Sequence, residues 1–183
     1  MEGKFLLIRD DCDGDGVSSV CYEEIGTKEG LRKVMREEFA SEIGEPAIEY
    51  ADATVHWDEA SLEDDRACMW VQGNDLSSRH ISWWMVPVTG RYALVMLDVK
   101  DGGGIEVKQL GAFDSELDAI MALGREYRKE LEHPTFYAGW DPEYCGHDET
   151  SAELTVETMD AAVYLNVIDT SKTELYFGFE YLG

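Results

Sequence analysis

The sequence predicts an α+β protein built from two similar β-β-α-β-β units, residues 1–89 and 90–183, with antiparallel sheets and one helix in each unit. Three observations lead to this class. Short apolar runs flank turns rich in Asp and Gly, which is typical of β-hairpins. An amphipathic helical pattern follows each predicted hairpin. The whole arrangement repeats after about 87–88 residues, which indicates an internal duplication.

The first unit begins with a predicted hairpin whose turn is the segment from Asp10 to Gly16. Thr27 is the expected N-cap of the following helix, because its hydroxyl can accept a hydrogen bond from the first turn. Helical spacing places one mainly apolar face on Leu31, Val34, Met35, Glu38 and Phe39. The predicted strands of this unit cover residues 4–8, 17–25, 67–71 and 81–86.

The second unit repeats this order with a hairpin around Asp101 to Gly104 and an N-cap at Ser115. The predicted apolar stripe of its helix consists of Leu117, Ile120, Gly124, Tyr127 and Leu131. The predicted strands cover residues 91–97, 105–113, 154–157, 161–168 and 175–182. We expect a tight turn at Asp169 to Lys172 to connect the last two strands.

The charge of the chain excludes several functions. Fifteen Lys and Arg stand against 39 Asp and Glu, a net charge of −24. Such a charge repels nucleic acid and anionic lipid, so no direct DNA, RNA or membrane binding is expected. No apolar run approaches the ~20 residues that span a bilayer, and no secretory signal is visible at Met1 to Phe5. Four unpaired Cys predict free thiols in the cytoplasm.

The acids are concentrated in two segments that lack Lys and Arg, between Arg36 and Arg66 and between Lys129 and Lys172. We call these the base-free segments. Solubility needs a net charge of only about 2–8 for a small domain, so the excess points to a basic partner. Spaced carboxylates can mimic a phosphate backbone. The predicted partner-binding residues are Glu42, Glu45, Glu49, Asp52, Asp58, Glu59, Glu63, Asp64, Asp65, Asp141, Glu143, Asp148, Glu149 and Glu153.

Two alternatives to this interpretation remain open. An ordinary solvated surface, including adaptation to high salt, is the commoner explanation among acidic proteins, although the retained aromatic residues weaken the high-salt version. Aromatic side chains among the acids are candidate interface anchors, with simple packing as the alternative. These aromatic residues are Tyr50, Trp57, Trp140 and Tyr144.

A second functional hypothesis rests on the carboxylates Asp11, Asp13 and Asp15, which follow the D-x-D-x-D-G pattern of a calcium loop. The twelfth loop position holds Tyr22 instead of the bidentate Glu, so a plain hairpin turn is favoured. The stretch from Asp11 to Ser19 also resembles the D-x-D-x-D-G-x-x-S segment of DHH phosphoesterases. That resemblance implies Mn²⁺ or Mg²⁺ and phosphodiester hydrolysis, but the family's Asp-His-His motif is absent. The alternative function is therefore a divalent-metal-binding module or a metal-dependent phosphoesterase.

The hairpin–helix start, the helix entry Thr27 to Leu31, and the strand pair bearing Trp70, Trp83 and Trp84 resemble small acidic proteins of phages and mobile elements. That group includes anti-CRISPR proteins and antirestriction DNA mimics. The resemblance implies inhibition of a host nuclease, such as the CRISPR nuclease Cas9, through its nucleic-acid-binding groove. The leading prediction is thus a non-enzymatic acidic inhibitor without a cofactor. A plain accessory protein with an acidic surface is a third hypothesis.

Overall fold

The structure is a computed structural model that describes residues 3–12, 17–49, 53–73, 78–100, 104–156, 161–172 and 174–182. It confirms a mixed α+β protein with antiparallel sheets. In chain order its strands are β1 (Lys4–Cys12), β2 (Val17–Thr27), β3 (Ile48–Glu49), β4 (Thr54–Val55), β5 (Glu59–Leu62), β6 (Arg66–Gln72), β7 (Ser78–Val88), β8 (Tyr92–Lys100), β9 (Gly104–Phe113), β10 (Cys145–His147), β11 (Ser151–Thr155), β12 (Ala162–Asp169) and β13 (Glu174–Leu182). The helices are α1 (Lys28–Glu42) and α2 (Glu116–Glu132).

The chain divides into two compact units: Met1–Pro87 with Thr173–Leu182, and Val88–Lys172. The sequence predicts the boundary after residue 89, two residues beyond the observed boundary after Pro87. The last strand differs more, because the sequence assigns it to the second unit whereas β13 pairs antiparallel with β2 in the first. The turn expected after β12 is present, with the Lys172 amide donating to the Asp169 carbonyl at 3.1 Å. It does not close a hairpin between β12 and β13, because these strands belong to different sheets.

The first unit contains a six-stranded sheet in the order β13-β2-β1-β7-β6-β5. Helix α1 begins as predicted, since the Thr27 hydroxyl accepts a hydrogen bond from the Gly30 amide at 3.2 Å. The predicted apolar face is also confirmed: Leu31, Met35 and Phe39 are buried against sheet residues such as Leu7. Burial of each such side chain is worth about 1.5–3 kcal/mol, which fixes α1 on this face of the sheet.

Glu38 is the one polar member of that helical face, and the structure explains its presence. The indole nitrogen of Trp83 donates a 2.7 Å hydrogen bond to the Glu38 carboxylate. Trp83 is fully buried, so its N–H needs an acceptor within the protein. Glu38 supplies this acceptor from the helix.

The second unit contains a five-stranded antiparallel sheet in the order β10-β11-β12-β8-β9. Helix α2 begins at the predicted N-cap, Ser115, whose hydroxyl accepts from the Asp118 amide. The predicted stripe of α2 is wrong in part. Leu117 is 65% exposed and Leu131 is 40% exposed. The face that packs on the sheet consists of Ala119, Ala122, Leu123 and Tyr127. The two small alanine side chains let the helix lie close to the sheet. The sequence-based prediction instead places the larger leucines on the buried face.

The described residues also contain four short strands that the sequence does not predict. The short strands β3, β4, β5 and β10 have two to four residues each. Such short segments carry too little hydrophobic periodicity to be recognised. The described parts of the predicted hairpin strands agree with β1, β2, β8 and β9. The turns at residues 13–16, 74–77 and 101–103 lie outside the described residues.

Candidate functional site

Most of the predicted partner-binding acids are exposed. The exposed residues are Glu45, Glu49, Asp58, Glu59, Glu63, Asp64, Asp65, Glu143, Asp148, Glu149 and Glu153. Glu42 and Asp141 are half-buried, and Asp52 lies outside the described residues. Exposure alone does not make a carboxylate available to a partner, because several of these groups already bind cations or backbone amides.

Asp64 and Asp65 are neutralised by helix α1. Arg32 donates to the Asp65 carboxylate at 2.9 Å, and Lys28 forms a second ion pair with the same group. Arg36 pairs with Asp64 at 3.5 Å. Hydrogen bonds from Lys28 and Arg32 lower the pKa of Asp65 below its ordinary value. Although the first base-free segment contains no Lys or Arg of its own, side chains of α1 pair with its last two acids. The charges of Asp64 and Asp65 are therefore neutralised within the protein.

The exposed acids at the sheet edge have a different environment. Strand β5 ends the six-stranded sheet, and Asp58, Glu59 and Glu63 lie on or beside it. We call these three residues the acidic edge. No ion pair involves them among the residues that the structure describes. The Asp58 carboxylate accepts one hydrogen bond, from the Gln72 amide at 3.0 Å. The acidic edge thus combines exposure with unneutralised charge.

An exposed tryptophan lies directly beside the acidic edge. Glu59 is paired with Trp70 across β5 and β6, and Trp70 is paired with His80 across β6 and β7. Directly opposite residues share one face of an antiparallel sheet, so these side chains form a row. Trp70 is 40% exposed. Sequence reasoning treats Trp70 only as a strand residue, although tryptophans beside charges are frequent interface anchors.

In the second unit, two of the predicted acids serve local structure. Asp141 caps the short 3-10 turn Pro142–Tyr144 by accepting from the Glu143 amide at 3.0 Å. Asp148 accepts hydrogen bonds from the amides of Thr150 and Ser151 at 2.8 and 2.7 Å. These bonds to the charged form lower the pKa of Asp148. Both carboxylates shape the loops before β11.

Glu42 and Asp11 belong to a half-buried ion cluster on the α1 side of the first sheet. Arg79 binds the Asp11 carboxylate through two nitrogens, at 3.1 and 2.9 Å. Arg9 bridges Asp11 and Glu42, at 3.1 and 2.8 Å. Both oxygens of Asp11 therefore already accept from guanidinium groups, whose charge repels a metal cation. The other carboxylates of the predicted metal loop, Asp13 and Asp15, lie outside the described residues.

The opposite face of β1 carries a second polar cluster, which sequence reasoning missed. Asp10 is 4% exposed, and its Oδ2 lies 2.8 Å from Nε2 of His80. His80 also hydrogen-bonds to the side chain of Cys12. The bond to Asp10, followed by that to Cys12, raises the pKa of His80 from 6.5 to about 10. The imidazole is therefore protonated at neutral pH and forms a charged link between β1 and β7.

The alternation of residues along β1 could have indicated part of this cluster from the sequence. Leu6, Ile8, Asp10 and Cys12 alternate along β1 and share one face. An Asp in line with two fully buried aliphatic residues must find a partner within the protein. The sequence does not identify that partner, because His80 lies seventy positions away.

Of the four aromatic residues proposed as interface anchors, the two tryptophans form hydrogen bonds and ring contacts within the protein. Trp57 donates to the Glu42 carbonyl at 3.0 Å and lies under Arg79. Trp140 donates to Glu130 at 3.3 Å and stacks on Phe136. Tyr144 is 39% exposed, and Tyr50 lies outside the described residues. Packing, the stated alternative, accounts for the two tryptophans.

Comparison with known proteins gives no match to a family model, to a curated protein or to a solved structure. Neither helix in the described part of the chain is long and apolar enough to cross a membrane. Within the same residues, no group of three or more His, Cys, Asp or Glu side chains is arranged to hold a metal ion. The four cysteines, all of which lie within the described residues, form no disulfide bond with one another.

Proposed function

We propose that this protein is a non-enzymatic acidic inhibitor that binds a basic nucleic-acid-handling protein, with a CRISPR nuclease such as Cas9 as the leading candidate. The observation that carries the proposal is the acidic edge, where Asp58, Glu59 and Glu63 are exposed without a cationic partner in the described residues. A groove lined by Lys and Arg attracts such a surface as it attracts phosphates.

The acidic edge has features that suit a binding surface. An edge strand offers unpaired backbone groups, and the flanking charges protect it from pairing with another copy of this chain. Trp70 adds an exposed aromatic side chain next to Glu59. Charge gives fast association, and a desolvated aromatic ring gives slow dissociation.

We further propose that the two units arose by duplication. Without β13, the first sheet has the order β2-β1-β7-β6-β5, and the second has the matching order β9-β8-β12-β11-β10. The hairpins are irregular at equivalent places, between Leu7 and Ile8 and between Leu94 and Val95. The buried helix residues Leu31, Met35 and Phe39 correspond in order to Ala119, Leu123 and Tyr127.

The metal-binding alternative has less support. Asp11 is bound by two guanidinium groups, so a cation at this carboxylate would have to displace Arg79 or share a positive environment. Phosphodiester hydrolysis would need several free carboxylates to hold its metal ions. The acidic-inhibitor proposal needs no such rearrangement.

The test is inhibition of DNA cleavage by guide-RNA-loaded Cas9 at low and high salt. The wild-type protein should inhibit cleavage at low salt and lose potency as salt screens the charges. The variant Glu59→Lys/Glu63→Lys should lose potency by about tenfold or more. The matched control Asp114→Lys/Glu132→Lys makes the same charge change at exposed positions outside the acidic edge. It should retain most of the inhibition.

Two outcomes would count against the proposal. Equal losses in both variants would mean that total charge matters and the acidic edge does not. Absence of binding and inhibition at every salt concentration would remove Cas9 as the target. Chromatography of a bacterial lysate on the immobilised protein, eluted by a salt gradient, would then test the wider class of basic nucleic-acid-binding partners.

A further inference from the structure

The cluster of Asp10, Cys12 and His80 has no part in the proposed function and is unusual for its place in the sheet. Asp10 and Cys12 are two residues apart on β1 and therefore share one face. His80 lies on β7, the strand next to β1, and contacts both of them. A carboxylate, an imidazole and a thiol thus meet at the end of one strand.

The fold itself does not require polar groups at these positions. Counted from the irregularity in each hairpin, Asp10 and Cys12 correspond to Leu97 and Val99 of β8. Leu97 and Val99 are both buried. The second unit therefore builds the same strand with an apolar face and buries no polar side chain at these two positions. The first unit instead buries a carboxylate, which is unfavourable unless its oxygens are hydrogen-bonded.

The hydrogen bonds of the described residues satisfy the Asp10 carboxylate only in part. Its Oδ2 contacts His80, but its buried Oδ1 has no hydrogen-bond partner among the described residues. A buried carboxylate oxygen without a partner loses its hydration and gains no hydrogen bond in exchange, so it destabilises the folded state. Polar groups retained at such a cost are frequent at functional sites.

We propose that Cys12 is a nucleophilic thiol, held beside the His80 imidazolium by Asp10, and that it forms a mixed disulfide with low-molecular-weight disulfides. The Cys12 thiolate attacks one sulfur of the small disulfide, a protein–ligand S–S bond forms, and the original S–S bond breaks. The leaving thiolate takes up a proton, so one thiol is consumed and one is released. No oxidant beyond the disulfide itself is needed.

The surroundings of Cys12 give a small molecule access. Cys12 is half-buried, and the His80 side chain is 42% exposed. The charged groups on this face of the sheet include Asp10 on β1, Glu59 on β5 and Arg66 on β6. The negative surface disfavours anionic reagents, so the appropriate probe is a neutral disulfide.

The test measures the rate of mixed-disulfide formation at each cysteine with 2-hydroxyethyl disulfide, followed by peptide mass spectrometry. At neutral pH, Cys12 should react about tenfold or more faster than Cys68, which is also half-buried. Cys145 should be slow, because burial raises the pKa of its thiol. His80→Gln should slow Cys12 to about the rate of Cys68, and Asp10→Asn should slow it partially. Cys68→Ser is the control that leaves Cys12 unchanged.

The pH dependence in the wild-type protein gives a second readout that needs no variant. A thiolate paired with an imidazolium should react at a nearly constant rate between about pH 6 and 8, whereas an ordinary thiol gains about tenfold per pH unit. A tenfold rise per unit at Cys12, or a Cys12 rate equal to that of Cys68, would overturn the proposal. An unchanged rate in a folded His80→Gln protein would do the same.

Discussion

At the scale of single residues, strand β1 shows how alternation assigns neighbouring carboxylates to unrelated roles. Asp11 faces α1 and is bound by Arg9 and Arg79, whereas Asp10 faces the other way and binds His80. The sequence shows only that the two acids are adjacent. Their long-range partners decide their chemistry, and those partners are not visible from spacing along the chain.

The half-buried ion cluster should contribute more to stability than the exposed ion pairs of α1. Arg79→Met removes a two-nitrogen contact with Asp11 and a 3.0 Å bond to the Ala47 carbonyl. We expect a loss of about 2 kcal/mol in the free energy of unfolding. The matched control Arg32→Met breaks an exposed pair with Asp65 and should lose clearly less, because solvent screens exposed ion pairs. Urea unfolding measures both, and equal losses would contradict the assigned difference.

The pair formed by His80 and Asp10 should make stability depend on pH with a definite sign. The folded protein raises the pKa of His80 from 6.5 to about 10, so protonation favours the folded state. The stabilisation is fully present below about pH 6.5 and is lost as pH rises through about 10.

The difference in unfolding free energy between wild type and His80→Gln should therefore shrink from about pH 6 to about pH 10. Urea unfolding at a series of pH values measures it. The same comparison in a Cys12→Ser background removes the ionisation of the thiol. A difference that stays constant or grows with pH would show that His80 is not protonated in the folded state.

At the scale of elements, local signals predict well where elements begin. Thr27 and Ser115 are correctly identified as helix caps, because a side-chain oxygen at the N-cap is a local requirement. The face of α2 is predicted less well, since Ala119 and Ala122 pack where the larger Leu117 is expected. The pairing of β13 is not predicted either, because it depends on a strand about 150 residues earlier.

Two glycines should respond in opposite directions to replacement by alanine. Gly124 lies within α2, and an added Cβ would have as its nearest neighbour the Arg128 Nη1 atom at 4.0 Å. Gly124→Ala should raise the free energy of unfolding by about 0.5–1 kcal/mol. Gly90 has a φ of 85° and a Cβ there would lie 2.9 Å from that of Ala112, so Gly90→Ala should destabilise by more than about 1 kcal/mol. Thermal or urea unfolding tests the signs, and a destabilising Gly124→Ala would contradict the described helix surface.

At the scale of the whole molecule, composition correctly identifies an acidic protein but not where its bare charge lies. Each half carries about half of the net −24. The first base-free segment is nevertheless supplied with cations by α1, which leaves Asp58, Glu59 and Glu63 as its unneutralised edge. Folding, and not position along the sequence, decides which of these acids remain without a cationic neighbour.

The central claim is that the acidic edge binds a basic nucleic-acid-binding groove, and the salt dependence of the association constant with guide-RNA-loaded Cas9 tests it most directly. We expect the logarithm of this constant to fall steeply with the logarithm of NaCl concentration. The slope should be clearly smaller for Glu59→Lys/Glu63→Lys and nearly unchanged for Asp114→Lys/Glu132→Lys. A slope that is the same in all three proteins, or an affinity independent of salt, would contradict the account.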